Sequence, residues 1–116
     1  MSVLLTTREV GGVVVLDVSG RLTVSDNTLR NAVSQCLKAG KRQFVLKLKD
    51  VSYVDSCGLG QLVSVYTSVT NSSGTVKLLT PSEKVLALLR LTKLDSVFDI
   101  LDDAGPFTMK ANSAGS

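Results

Sequence analysis

Residues 51–60, VSYVDSCGLG, join a predicted strand to a predicted helix. The apolar run 44–48 that precedes them is typical of a strand. After them, apolar residues recur at helical spacing, at Leu59, Leu62, Val63, Tyr66 and Val69. Asp55 and Ser56 are both common helix N-caps, because a short side-chain oxygen accepts a hydrogen bond from the free N–H groups of the first turn. We therefore expect Ser56 at the start of a helix and near the surface.

Two interpretations of this helix start follow from the residues alone. In the simpler one, Asp55 and Ser56 only cap the helix, and Gly58 and Gly60 only allow another backbone or a partner protein to approach closely. In the sharper one, Ser56 accepts a phosphate. A phosphoserine at a helix N-terminus meets free N–H groups and the positive end of the helix dipole, so it adds about −1.5 to −2 charges without unfolding the helix.

The composition is typical of one small globular domain. The chain has 116 residues, of which 44% are hydrophobic and 20% charged. It opens with no secretory pattern, and it contains no apolar run of the ~18 residues that a membrane span needs. We therefore expect a cytoplasmic protein that does not enter a membrane.

Several classes of function are excluded or disfavoured. Histidine is absent, so neither a Ser-His-Asp nor a Cys-His mechanism is available. Neither cysteine has neighbours at metal-ligand spacing. Position 63 is a valine, whereas a G-x-G-x-x-G dinucleotide-binding fingerprint would need glycine there and a C-x5-R phosphatase motif would need arginine. The net charge of +3 is scattered and aromatic residues are only 4%, which disfavours nucleic-acid binding. We expect no enzyme activity, no cofactor and no metal site.

The chain in order predicts an α/β fold. Residues 3–10 and 13–19 read as two strands of a hairpin around Gly11-Gly12. Further strands are predicted at 43–49 and 75–80 and a short edge strand at 98–101. Helices are predicted from the caps Ser25-Asp26-Asn27 to Gly40, after residue 55, and from Ser82 to about Thr92. The repeated strand–helix–strand order favours parallel pairing with right-handed crossovers.

The third predicted helix is more apolar than one buried stripe requires. Its apolar residues are Val85, Leu86, Leu88, Leu89 and Leu91. Either part of this helix faces a partner, or the following Val97-Phe98 covers it. Cys36, by contrast, falls on the apolar stripe of the first helix and is expected in the core.

This order of elements resembles the STAS domain family, and within it the anti-sigma factor antagonists, over roughly residues 3–101. The specific motif is Val54-Asp55-Ser56-Cys57-Gly58-Leu59-Gly60. Supportive motifs are Val18-Ser19-Gly20-Arg21-Leu22, Leu78-Leu79-Thr80-Pro81, and Val85 and Leu88 followed by Leu91-Thr92-Lys93-Leu94. The resemblance implies a single STAS-like domain over 1–104 with a loose tail at 105–116. It implies a mixed four- to five-stranded sheet with an N-terminal hairpin and three to four helices.

The resemblance also implies a function. In that family the serine after the aspartate is phosphorylated by a kinase that is itself the anti-sigma factor, and this role carries over to Ser56. A PP2C-type phosphatase is the expected second partner, no direct nucleic-acid contact is expected, and the free chain is expected to be a monomer. The implied partner-binding residues are Arg21, Thr23, Asp55, Ser56, Cys57, Gly58, Leu59 and Gly60.

Three features depart from the family pattern. Cys57 stands where Ser or Thr is usual, Thr23 stands where many members have Asp, and residues 102–106 leave little room for the final helix. Cys57 is interpreted either as a quiet stand-in for Ser or Thr, or as a thiol whose oxidation blocks docking.

Two functions remain open from the sequence. The first is a binding module that docks on an anti-sigma kinase when unmodified and is released when Ser56 is phosphorylated. The second keeps the fold without the switch, as a constitutive subunit of a transporter or signalling assembly that uses the helix around Leu86 and Leu89 as its contact surface.

Overall fold

A computed structural model describes residues 3–23 and 27–101. Two expectations lie outside these residues: the candidate caps Ser25 and Asp26, and the domain end at 104 with its loose tail at 105–116. The elements, in chain order, are β1 (Val3–Val10), β2 (Val13–Leu22), α1 (Thr28–Lys38), β3 (Gln43–Val54), α2 (Ser56–Asn71), β4 (Thr75–Leu79), α3 (Glu83–Leu91), a 3-10 turn (Leu94–Ser96) and β5 (Asp99–Leu101).

The five strands form one sheet in the order β1-β2-β3-β4-β5. β1 and β2 pair antiparallel, and their tight connection needs positive φ at Gly11 (56°) and Gly12 (83°). β2, β3, β4 and β5 pair in parallel. The predicted hairpin, parallel pairing and α/β class are therefore confirmed, with five strands and three α-helices in the described residues.

The three helices share one core with one face of the sheet. β2 contributes Val14, Leu16 and Val18 to this main core, and β3 contributes Phe44, Leu46 and Leu48. The helices contribute Leu29 and Val33 (α1), Leu59, Leu62, Val65 and Val69 (α2), and Val85 and Leu89 (α3). Cys36 is half-buried against this core, as predicted.

The opposite face of the sheet carries a smaller apolar cluster of Val15, Val45 and Leu79. Ion pairs lie on neighbouring strands, with Asp17 near Arg8 and Lys47 at 3.9 Å each. Because successive strand residues point to opposite faces, the run Phe44-Val45-Leu46 supplies both clusters. This part of β3 is therefore buried on both faces of the sheet.

β3 is longer than predicted, since it continues to Val54 rather than ending at Lys49. The polar residues Lys49 and Asp50 interrupt the apolar pattern, but pairing with β2 resumes at Asp50 and continues to Val54. The register of the β2–β3 pair shifts twice, between Asp17 and Ser19 and between Gly20 and Arg21, and each time β3 contains one residue more than β2. The consequence for the site is that β3 runs to within one residue of Asp55–Ser56.

α3 buries one stripe and leaves another exposed. Val85 and Leu89 are buried, whereas Leu91 is 79% exposed. Phe98 is buried, with its ring edge-on to Tyr66 of α2 at a centroid distance of 5.2 Å. Phe98 thus joins the core to which α3 contributes, and a partner on the exposed side of α3 stays a prediction. None of the helices in the described residues has the length and apolar character to cross a bilayer.

Replacing Leu46 by alanine should lower the free energy of unfolding by about 2–5 kcal/mol, because it leaves a cavity in the main core. Leu91→Ala is the matched control. It removes the same atoms from an exposed position and should change the stability by no more than about 0.5 kcal/mol. Chemical denaturation of both variants measures the difference, and equal losses would contradict this account of the core.

Candidate functional site

The candidate site lies where β2 and β3 end and α2 begins. Leu22 pairs with Val54 at the last position of both strands, and Asp55 follows with extended backbone. The Asp55 carboxylate accepts a hydrogen bond from the N–H of Gly58 at 2.8 Å. Asp55 is therefore the N-cap of α2, and of the two candidate caps Ser56 is the first helical residue instead.

Ser56 and Cys57 are both exposed at this helix start. The first turn of α2 contains no acidic side chain, so the carboxylate at the positive end of the helix dipole is that of the N-cap, Asp55. The expected position of Ser56, at the surface and at the start of a helix, is confirmed.

The two glycines of the motif have different surroundings. A Cβ on Gly58 would overlap the carbonyl oxygen of Leu22 and lie 2.8 Å from its carbonyl carbon and 3.0 Å from Cγ2 of Val54. Gly58 therefore permits close contact between α2 and the end of β2. A Cβ on Gly60 would meet no atom of the described residues within 4 Å. Of the two glycines, Gly58 is therefore the one that another backbone segment of the domain approaches closely, and Gly60 faces outward.

The implied partner-binding residues divide by exposure. Gly58 and Leu59 are buried, and Leu59 belongs to the main core. Both residues therefore support the surface without forming part of it. Ser56, Cys57 and Gly60 are exposed. The pairing of β2 with β3 places a second exposed group, Arg21, at the same edge of the sheet.

Arg21 lies over the ring of Tyr53, its partner in the next strand. The guanidinium carbon is 4.3 Å from the ring centroid, which is a cation–π contact. Next to this pair, the Ser52 hydroxyl donates to the carbonyl oxygen of Gly20 at 3.2 Å. Thr23 follows at the end of β2, where it is half-buried and its carbonyl oxygen accepts a hydrogen bond from Nε2 of Gln61.

Sequence reasoning missed two residues of this region, Tyr53 and Gln61. Tyr53 depends on the extension of β3, which no local pattern indicates. Gln61 follows Gly58 by three residues and precedes Val65 by four, so helical spacing alone places it on the inner face of α2. That spacing was the available signal.

The site is a surface at a strand–helix junction, and it lies apart from the groove between α1 and α2. That groove has a volume of about 690 Å³ and is lined by residues such as Arg30, Lys38, Ser64 and Ser68, but by none of residues 51–61. In the described part of the chain, no three His, Cys, Asp or Glu side chains come together as a metal site would require.

The fold and the site define a small α/β domain with an exposed serine at the start of a capped helix. More particularly, the chain belongs to the STAS domain family, whose model matches residues 5–109. This confirms the family resemblance carried by the Asp55–Gly60 motif.

Two curated relatives have names of one kind. A Thermotoga maritima protein, provisionally named an anti-sigma factor antagonist, is 39% identical over 66 residues, which cover 57% of this chain and 58% of that protein. The anti-sigma-B factor antagonist of Bacillus subtilis is 43% identical over 53 residues, covering 46% of this chain and 49% of the relative. The chain thus spans about half to three fifths of the length of these relatives.

Solved structures match over a larger share. A crystal structure of the Thermotoga maritima protein has a TM-score of 0.73 at 31% identity and covers 84% of this chain and 86% of its own. The Bacillus protein SpoIIAA in its phosphorylated form has a TM-score of 0.70 at 20% identity, covering 85% and 90%. The second likeness shows a shared fold.

Gly58→Ala should lower the free energy of unfolding by about 1–3 kcal/mol or more, because the new methyl group overlaps the Leu22 carbonyl and α2 must shift. Gly60→Ala makes the same chemical change two residues away in open space. It should raise stability by up to about 1 kcal/mol, because alanine is the better helix former. Thermal unfolding of the pair measures the contrast, and a tolerated Gly58→Ala would disprove the close contact.

Proposed function

We propose that this protein is a phosphorylation-controlled anti-sigma factor antagonist that acts in the cytoplasm. Unmodified, it binds an anti-sigma factor that is also a serine kinase, and a sigma factor is freed. Phosphorylated at Ser56, it releases that partner. The observation that carries the proposal is an exposed serine at the first position of α2, directly after the capping Asp55, in a chain of the STAS family.

The surroundings of Ser56 suit a phosphate acceptor. Its side chain is exposed, so a kinase can reach the hydroxyl without unfolding the domain. The first turn of α2 holds no acidic residue, and the helix dipole favours negative charge at that end. The adjacent carboxylate, Asp55, is engaged by the N–H of Gly58. A phosphate therefore changes the charge of the surface by about −1.5 to −2 and leaves the fold intact.

Release follows from the cost of burying that charge. The proposed docking surface consists of the exposed Ser56, Cys57 and Gly60 on α2, together with Arg21 and Thr23 at the end of β2. Gly60 presents no side chain, so a partner can approach the helix backbone closely there. Desolvating a phosphate dianion at such an interface without a paired cation on the partner is costly, and binding is lost.

Catalysis in this scheme belongs to the partners. The kinase transfers the phosphate to Ser56, and a phosphatase of the PP2C type removes it and restores the binding form. In this proposal the chain is the regulated surface and needs no cofactor of its own. Names of the relatives support the antagonist role.

Ser56→Ala should bind the kinase with wild-type affinity and resist phosphorylation, because alanine removes the acceptor while the cap is Asp55. Ser56→Asp should stay folded and bind at least tenfold more weakly, although its single charge is only about half that of a phosphate. The partner is the kinase recovered from the source cells with Ser56→Ala as bait, and calorimetry measures the affinities.

Ser68 provides the matched control for these variants, because it is an exposed serine on the same helix, three turns further on. Ser68→Asp should leave kinase binding unchanged. If Ser56→Asp bound as tightly as wild type, or if Ser68→Asp weakened binding equally, a local switch at Ser56 would be ruled out.

A second candidate function rests on the exposed side of α3. Leu91 is 79% exposed and Val97 is 45% exposed, so a constitutive subunit of a transporter or signalling assembly can use this surface as its contact. That function requires binding that does not respond to phosphate on Ser56. A mass spectrum of the protein from its native cells distinguishes the two, since only the switch produces a phosphopeptide that contains Ser56.

Cys57→Ser should leave kinase affinity unchanged, with or without a mild oxidant, because serine is usual at this position in the family. The two thiols of the chain are both free, and Cys36 packs against the core from α1, so it is not placed as a disulfide partner of the exposed Cys57. Calorimetry on oxidised and reduced samples provides the measurement. An oxidant-dependent loss of binding in the wild type alone, reversed by reductant, would instead establish the thiol as a second switch.

A further inference from the structure

Gln61 is a polar side chain in the buried interior, and with Thr80 it is one of two described residues that have a buried side-chain oxygen without a hydrogen-bond partner. It is only 4% exposed, and within residues 3–23 and 27–101 it is the one buried side chain that is polar. It lies on the inner side of α2, one helical turn after Gly58, where its neighbours Leu62 and Val65 are core residues.

The amide of Gln61 is only partly satisfied. Its Nε2 donates a hydrogen bond to the carbonyl oxygen of Thr23, whereas its Oε1 is buried and accepts no hydrogen bond from any described residue. Burying an unpaired polar atom is unfavourable, so an apolar side chain of similar shape would serve the stability of the core at least as well. The core alone therefore does not account for an amide at this position.

The contact of Gln61 with Thr23 lies beside a second contact between the same two elements. Gly58 of α2 packs against the carbonyl group of Leu22, and Gln61 bonds to the next carbonyl along the chain. The first contact limits only how closely α2 and β2 approach. The second has a direction, because a hydrogen bond fixes where the acceptor lies relative to the donor.

We propose that Gln61 is a positioning residue that holds the end of β2 against α2, so that Arg21 and Thr23 form one docking surface with Ser56, Cys57 and Gly60. This inference rests on the proposed function for the role of that surface. Gln61 itself is buried and does not touch the partner. It raises the affinity because a surface whose two halves are already fixed loses less conformational freedom on binding.

Gln61→Met and Gln61→Asn test this role. Methionine keeps the length and shape of the side chain without the amide, and asparagine keeps the amide but is too short by one methylene group to reach the Thr23 carbonyl. Thr70→Val is the matched control, because it removes a hydroxyl of the same helix that bonds only within α2, to the carbonyl oxygens of Tyr66 and Thr67.

Amide hydrogen exchange of the free protein measures how firmly the end of β2 is held, and it needs no partner. In Gln61→Met, the amides at the end of β2, in the pairs of Arg21 with Tyr53 and Leu22 with Val54, should exchange about fivefold faster, which is the scale of one net hydrogen bond, whereas the amides of β4 should be unchanged. The melting temperature should be equal to or higher than that of the wild type, because the unpaired Oε1 is gone. Gln61→Asn should also show the faster exchange, but with a melting temperature below that of the wild type. Thr70→Val should leave the exchange rates unchanged.

Kinase binding then tests the consequence. Both Gln61 variants should bind the recovered kinase about fivefold more weakly, and Thr70→Val should bind as the wild type does. Unchanged exchange at the end of β2 would overturn the positioning role, and so would faster exchange with unchanged affinity. Failure of both variants to fold would assign Gln61 to folding instead and overturn it too. If the wild type itself bound no such kinase, the proposed function would fail, while the exchange data would still decide whether Gln61 holds the end of β2.

Discussion

The contact between Gly58 and the carbonyl group of Leu22 is the constraint on which the site depends. It leaves no room for a side chain, so α2 lies directly on the end of β2. This contact fixes the orientation of α2 about its own axis, and successive residues then point in directions about 100° apart. Leu59, Leu62, Val65 and Val69 then face the core, whereas Ser56 and Gly60, which are one turn apart, share the outer side. The exposure of Ser56 is thus a consequence of the burial of Gly58.

Parallel pairing of β2 with β3 supplies the other half of the surface. The carboxyl ends of parallel strands meet at one edge of a sheet, and here Leu22 and Val54 end their strands as a pair. The chain before Leu22 therefore presents Arg21 beside the start of α2, with Tyr53 beneath its guanidinium group. Residues some thirty positions apart in the sequence are neighbours because the strands pair in this register.

Local signals predicted most of the fold. Gly11-Gly12 and the spacing of apolar residues depend only on nearby chain, and the hairpin, three helices and parallel strands were found from them. The extension of β3 to Val54 was not, because Lys49, Asp50 and Ser52 are polar, and this part of β3 depends on pairing with β2 across two register shifts. The sequence pattern did not distinguish Asp55 from Ser56 as the cap. That choice depends on the backbone conformation of Asp55, which is extended, so that the helix begins at Ser56. Gln61 was missed because a glutamine is normally a surface residue, although its spacing from Gly58 and Val65 places it on the inner face of α2.

The division of α2 into an inner and an outer side has a consequence for regulation. The groups that attach this helix to the domain, Gly58, Leu59 and Gln61, are buried, and the proposed phosphate acceptor is on the surface. Modification of Ser56 therefore does not have to move the helix in order to change binding. It has only to make the two covalent forms differ in affinity, and each tenfold difference requires about 1.4 kcal/mol, which a desolvated dianion readily supplies. A switch of this kind works through the chemistry of the interface and needs no second conformation of the domain, so a rigid attachment of α2 favours both the docking and the release.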